Sequence, residues 1–193
     1  LKDMESNRPV PRKNSWRKHK NKLIWLFLYY GFAYWLPLSY SILGRLLYAK
    51  TIRYYICKHI FLKIGKNVNI ESHVNFGSGL EIEIGNNSGM GTKTRMPSNV
   101  KIGDNVLMGP ECFFLPFNHH YKEKSRLIKA KGYGEKMETR IGNDVWIGRE
   151  VMFNPGMFIS DGTVIAARTL VCKKFPPYSV IGGNPSRIIG SRE

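Results

Sequence analysis

The chain has 193 residues, 42% hydrophobic and 23% charged, enough apolar material for one ordinary domain with an appendage. Thirty Lys and Arg against 14 Asp and Glu leave a formal charge of +16, which calls for an anionic partner such as nucleic acid, an acidic membrane or a phosphorylated small molecule. The three cysteines, Cys57, Cys112 and Cys172, are far apart and form no Cys-x-x-Cys pair, which argues against a disulfide framework or zinc cluster and for a reducing compartment.

Residues 1–22 read as a basic flexible arm. Residues 23–60 read as an apolar, aromatic helical segment. The first sixty residues hold twelve Lys or Arg and only two acids, Asp3 and Glu5. From Leu23 to Gly44 there is no charge, a run just long enough to span a bilayer as a helix. Pro37 in its middle argues instead for two short helices broken there. With Trp and Tyr interleaved and basic residues on both sides, the expectation is a front apposed to an anionic cytoplasmic membrane surface rather than a span. An apolar cap packed on the body is the other reading of the same residues.

From Ile64 a six-residue period takes over. Ile84-Gly85, Met90-Gly91, Met96-Pro97, Ile102-Gly103, Met108-Gly109 and Phe114-Leu115 mark it, and Ile141-Gly142, Ile147-Gly148, Phe153-Asn154, Ile159-Ser160, Ile165-Ala166 and Val171-Cys172 continue it. The fifth slot of the units is also restricted, as in Val100, Val106, Cys112, Val145, Met157 and Thr163. Six fits neither the helical 3.6 nor a hairpin run. It fits short parallel strands joined by tight corners, three units to a triangular coil. The register slips between Leu80 and Glu83, and it breaks after "FFLPFNHH", resuming at Ile141.

The repeat, the segment "IGNDVWIGREVMFNPGMFISDGTVIAARTLV" and the ending "PPYSVIGGNPSRIIG" resemble the hexapeptide-repeat acyltransferases of the galactoside, maltose and capsular-polysaccharide O-acetyltransferase type. The resemblance covers roughly residues 64–187 and implies an all-β left-handed parallel β-helix, here 61–187 with an extruded loop at 120–140, followed by a tail at 188–193. It implies an acetyl-CoA donor, a glycan or sugar acceptor and a homotrimer with the site shared between chains. It places the catalytic histidine on His119, with His120 and Trp146 toward the acceptor. Gly148 and Ala167 would lie along the pantetheine arm, Cys172 and Lys173 near its far end, and Arg187 would reach a phosphate. Where the sugar enzymes carry Tyr and Asn for acceptor and thioester contacts, this chain has Gly89 and Gly91, and Gly190 replaces a second arginine.

The chemistry agrees with this assignment. An activated thioester needs only a base for the attacking hydroxyl, and imidazole, with a pKa near 6.5, is largely neutral at working pH. Glu111 and backbone carbonyls are candidates to orient it. The loop holds six Lys or Arg and three Glu, a pattern that suits either a solvated excursion or a clamp on an anionic or extended glycan. The remaining histidines, His19, His59 and His73, are not spaced to hold a metal as a β-helical carbonic anhydrase would, so no metal is expected. No nucleic-acid motif accompanies the charge, so no nucleic acid is expected either. The donor places the enzyme in the cytoplasm, peripheral on the membrane. A small soluble acceptor or a catalytically silent scaffold are the rival readings.

Overall fold

The structure is a computed structural model and describes residues 16–193, with side chains from residue 22 onward. The first fifteen residues of the expected arm lie outside the described part. Three helices lead in: α1 (Trp16–Gly31), α2 (Ile42–Leu46) and α3 (Ala49–Ile60), with a 3-10 turn at Ala33–Trp35. The expected arm therefore ends earlier than residue 22. Residues 16–22 already belong to α1. The expected pair of helices is likewise three. Pro37 follows an extended Leu36 (φ −58°, ψ 147°), and a turn in which Ser41 N donates to Leu38 O at 3.0 Å leads into α2, where the Ser41 side chain accepts from Gly44 N at 3.0 Å. Tyr48, at φ 52°, then separates α2 from α3.

The body is a left-handed parallel β-helix. All but the last of its parallel strands are two residues long, and they stack in three faces. The first face runs through β1 (Lys63–Ile64), β3 (Glu83–Ile84), β5 (Lys101–Ile102), β8 (Arg140–Ile141) and β11 (Phe158–Ile159). The second holds β2 (Asn69–Ile70), β4 (Gly89–Met90), β6 (Leu107–Met108), β9 (Trp146–Ile147), β12 (Val164–Ile165) and β14 (Ser179–Gly182). The third contains β7 (Phe113–Phe114), β10 (Met152–Phe153) and β13 (Leu170–Val171). In each strand one residue points in. Ile84, Ile147, Phe153 and Ile165 are at most 1% exposed, and the Phe114 and Phe153 rings stack at 4.2 Å.

Corners hold the stack in register. Asn67, Asn87, Asn105 and Asp144 sit at φ between 52° and 58°, a left-handed conformation that Asn and Asp tolerate best after glycine. The preceding side chains form a ladder in which each accepts a backbone N–H from the coil below. Asn86 Oδ1 accepts from Lys66 N at 2.9 Å, Asp104 Oδ1 from Asn86 N at 2.5 Å, Asn143 Oδ1 from Asp104 N at 2.9 Å, and Asp161 Oδ1 from Asn143 N at 2.6 Å. Corner amides that parallel strands would leave unpaired are thus satisfied. Gly85 is required beneath this ladder, because a Cβ there would stand 2.2 Å from Asp104 Oδ1. In the fifth slots, the hydroxyls of Thr163 and Thr169 donate to the carbonyls of Ser160 and Ala166, each at 2.7 Å, closing their own turns.

Register also dates the two irregularities. Glu83 pairs with Lys101, eighteen residues on, but Lys63 pairs with Glu83, twenty residues on, so the slip adds two residues. Lys101 pairs with Arg140, thirty-nine residues on, so one coil extrudes twenty-one residues. The excursion does not begin at His120, as the repeat suggested. Met137 N donates to Pro116 O at 2.9 Å and Gly134 N to Asn118 O at 2.7 Å, so the chain has left the coil by Pro116 and returns at Arg140, already in β8. The expected tail is also ordered: β15 (Arg187–Ser191) turns back antiparallel on β14 and covers that edge.

The opposite end is closed by the helices. Tyr29, fully buried, donates from its hydroxyl to Val74 O at 2.9 Å and packs on Phe76 at 4.5 Å. Arg53, on the buried stripe of α3 with Ala49, Ile56 and Ile60, is itself 0% exposed. It donates to Ile70 O at 2.6 Å, to Leu36 O and Pro37 O at 3.1 Å each, to Ser39 Oγ at 2.8 Å and to Glu71 Oε2 at 3.4 Å. Burial lowers its pKa and the Glu71 carboxylate opposes that. Arg53→Ala would leave Ile70 O, Leu36 O and Pro37 O without this donor and take the cation from Glu71, which keeps Ser39 N and Asn69 Nδ2, and we expect about 3–5 kcal/mol lost in denaturant unfolding. The exposed Lys58→Ala should stay within about 0.5 kcal/mol of the parent.

Candidate active site

The coil presents three separate groups of the expected residues. At the base of the excursion, His119 pairs with Tyr133 as an isolated antiparallel bridge. Their rings lie 4.2 Å apart at 40°, and Tyr133 also meets Phe117 edge-on at 4.7 Å. His120 N donates to Gly132 O at 3.3 Å. Both histidines are exposed, so imidazole stands at the surface on a short ribbon rather than in a mobile arm. Glu111, one of the candidates to orient the imidazole, is engaged elsewhere. It sits at another corner with φ 63° and accepts from Arg149 at 3.1 Å, with Lys93 Nζ at 3.6 Å. Opposite-charge partners above and below it satisfy that carboxylate, and the ring against His119 is Tyr133. No repeat or motif marks Tyr133, which is brought there only by the pairing of the two arms.

The second group lies on the edge between the second and third faces. Gly148 and Ala167 stack in successive coils there, and a Cβ on Gly148 would stand 2.6 Å from Ala167 N. The edge is therefore a shallow track of small residues. Trp146, two residues before Gly148, lies outward on β9 and is 55% exposed, so it is a surface ring on a strand and not a turn-packing residue. Below it on the same face is a cleft of about 330 Å³ lined by Lys50, Asn69, Glu71, Gly89, Gly91 and Leu107, among others. The two glycines differ in kind. A Cβ at Gly91 would meet Gly109 O at 1.9 Å, whereas at Gly89 the nearest atom, Asn69 O, is 3.5 Å away. Gly91 is demanded by the coil, while Gly89 leaves open space in the cleft floor.

The third group closes the far end. Cys172 follows β13, its backbone N donates to Ser186 Oγ at 3.3 Å, and its Sγ is 3.5 Å from the same hydroxyl. Ser186 adjoins Arg187, so Cys172, Lys173 and Arg187 converge, with Lys173 Nζ over the Phe175 ring at 5.5 Å. Lys173, Lys174 and Arg187 are exposed cations beside a hydroxyl and turn amides, the donor set that phosphate oxygens require. The Ser186 hydrogen bond, helped by Lys173, holds the Cys172 thiol below its ordinary pKa, while burial pushes Cys112 up to about 11 and Cys57 well above the usual thiol range. A lower pKa means more thiolate at neutral pH, so alkylation by iodoacetamide should modify Cys172 first, with Cys57 and Cys112 reacting only on unfolding. Mass mapping of a time course checks the order. Among the described residues, no cluster of three or more His, Cys, Asp or Glu side chains is placed to hold a metal ion.

No family model matches the chain. It is 35% identical over 136 residues to the galactoside O-acetyltransferase of Escherichia coli K12, covering 69% of this chain and 66% of that protein. It is 49% identical over 63 residues to a chloramphenicol acetyltransferase of Agrobacterium fabrum, covering 33% of this chain and 30% of that enzyme. The chain thus spans about two thirds of the length of the first relative and under a third of the second. A galactoside acetyltransferase in complex with coenzyme A superposes with a TM-score of 0.71 at 29% identity, over 93% of this chain and 84% of that one. On the repeat, the coil and these likenesses, the chain belongs to the hexapeptide-repeat acetyltransferase family.

Proposed function

We propose that the protein transfers acetyl from acetyl-CoA to a hydroxyl of a glycan, with His119 as general base. The observation that carries this reading is the single twenty-one-residue interruption of an otherwise regular coil, which stands an exposed imidazole at the coil edge. Acetyl-CoA supplies an already activated acyl carbon. The Gly148–Ala167 track suits its pantetheine arm, and Lys173 and Arg187 suit its phosphates. The acceptor oxygen bonds to the acetyl carbon as its proton passes to the His119 imidazole, the carbon–sulfur bond breaks, and the proton returns to the departing thiolate. Nothing covalent forms on the protein, so the coil contributes position and a proton site.

His119 leaves the edge that follows β7, whereas Gly148 and Ala167 occupy the edge that precedes β10. One chain therefore presents base and track on different edges of the prism, which favours a homotrimer whose sites form between neighbours. The exposed Trp146, His120 and the open cleft at Gly89 suit an extended acceptor, and the basic front suits one held at an anionic membrane surface on the cytoplasmic side, where acetyl-CoA is made. The segment shared with a chloramphenicol acetyltransferase supports a second reading, a small soluble acceptor at the same site.

Thiol release from acetyl-CoA over a panel of glycans, lipid-linked saccharides and small hydroxyl acceptors tests both. His119→Ala should lower acceptor-dependent release by roughly 10²–10⁴. No release with any acceptor would leave a scaffold, and acceptor-dependent release indifferent to His119 would overturn its role as base while keeping the transferase. Chains carrying His119→Ala mixed with chains carrying Arg187→Ala should recover activity if the site is shared between neighbours, and should stay inactive if each chain is complete.

A further inference from the structure

The helical front has outward faces of two opposite kinds. On α1, Leu23, Ile24, Phe27 and Leu28 are exposed, Phe27 at 77%, and Gly31 and Phe32 continue the same stripe at helical spacing. The other stripe, Trp25, Leu26, Tyr29 and Tyr30, packs inward, with Trp25 stacked on His59 at 4.1 Å. On α2, Ile42, Leu43, Leu46 and Leu47 are exposed, Ile42 at 89%. Helix α3 in the same front turns Lys50, Thr51, Lys58 and His59 outward with a single ring, Tyr55, and no exposed aliphatic side chain. The apolar outer faces are thus a property of α1 and α2 alone, and they far exceed the scattered apolar surface of an ordinary soluble domain.

Charge identifies what covers them. From residue 6 to residue 70 the sequence has thirteen Lys or Arg and no Asp or Glu. The next acid, Glu71, is engaged with Arg53. Exposed Arg45, Lys50, Lys58, Lys63 and Lys66 accompany the apolar faces, and Trp35, Tyr40, Tyr48 and Tyr55 are half or more exposed beside them. A neighbouring protein surface would set no rule against carboxylates over sixty-five residues, but an anionic headgroup layer does, because it repels them and attracts each Lys and Arg. Apolar side chains, amphipathic rings and unopposed cations together make a surface for the boundary between headgroups and acyl chains. Helix α1 is sixteen residues long, and among the described residues no helix is long and apolar enough to cross a membrane.

Resting on the proposed placement at a membrane surface, we propose that α1 and α2 insert their outer faces, led by Phe27 and Ile42, into the interface of an anionic bilayer without spanning it.

Flotation of the full chain with vesicles of phosphatidylcholine, with and without phosphatidylglycerol, at low and high salt tests the inference. Binding should require phosphatidylglycerol, weaken with salt, and fall at least about tenfold in Phe27→Ser/Ile42→Ser. Both side chains are exposed, so circular dichroism and acetyl-CoA affinity should match the parent. Failure of the wild type to float, or flotation indifferent to the two substitutions, overturns the inference. So does a fall in oligomer mass in the variant with no vesicle binding by the parent, which would make the face an interface between copies. Retained acetyl-CoA binding in any of these outcomes leaves the transferase reading standing, so the two fail separately.

Discussion

Eighteen residues per coil is the constraint on which the rest depends. Two-residue strands have no stability of their own, and each is held by the strand a coil above and a coil below. A shift of one residue would turn Ile147 or Phe153 out and Trp146 or Met152 in, so every corner must return the chain at the same point. The Asn and Asp ladder and the glycines beneath it enforce that return by occupying the only space the next coil leaves. Regularity of this kind makes an interruption conspicuous. Twenty-one residues can leave between β7 and β8 only because the coil closes behind them without losing register.

A stack of parallel strands has two open ends, and both are dealt with by other means. At one end β15 folds back antiparallel. At the other, α1 and α3 lay Tyr29 and Arg53 across the first coil, and a guanidinium reaching five oxygens joins helix, connecting segment and coil. That arrangement ties the front to the first coil while leaving two of its helices apolar on the outside. The candidate chemistry lies on the long edges between, where corner residues project and backbone approaches the surface.

How much was legible follows from how local each signal is. Ile84-Gly85 or Ile147-Gly148 states its own place, since a strand, its inward residue and its corner fit within six residues. His119, Gly148 and Ala167 were named by the family resemblance, and the repeat added only that His119 lies beside its break. The first residues of the excursion were misread as a last hexad. "FLPFNH", Phe114 to His119, has the right spacing of apolar residues, but Pro116 and Asn118 pair with an arm arriving 16 to 21 residues later. Arg53 gave a weak sign, as a charge on the stripe formed by Ala49, Ile56 and Ile60. Tyr133 gave none.

By itself the sequence determined the coil, its three-sided period, the extruded segment and the concentration of positive charge toward the start, because each is written in composition or in spacings of a few residues. The tertiary structure alone decided which charges are buried, which ring meets His119, on which edge each site residue stands and which apolar helical faces are left uncovered. Those outcomes come from contacts between residues 14 to 45 apart or more, such as His119 with Tyr133 and Tyr29 with Val74. At such separations chain closure, not local preference, selects the partner, and a short-range pattern carries no record of it.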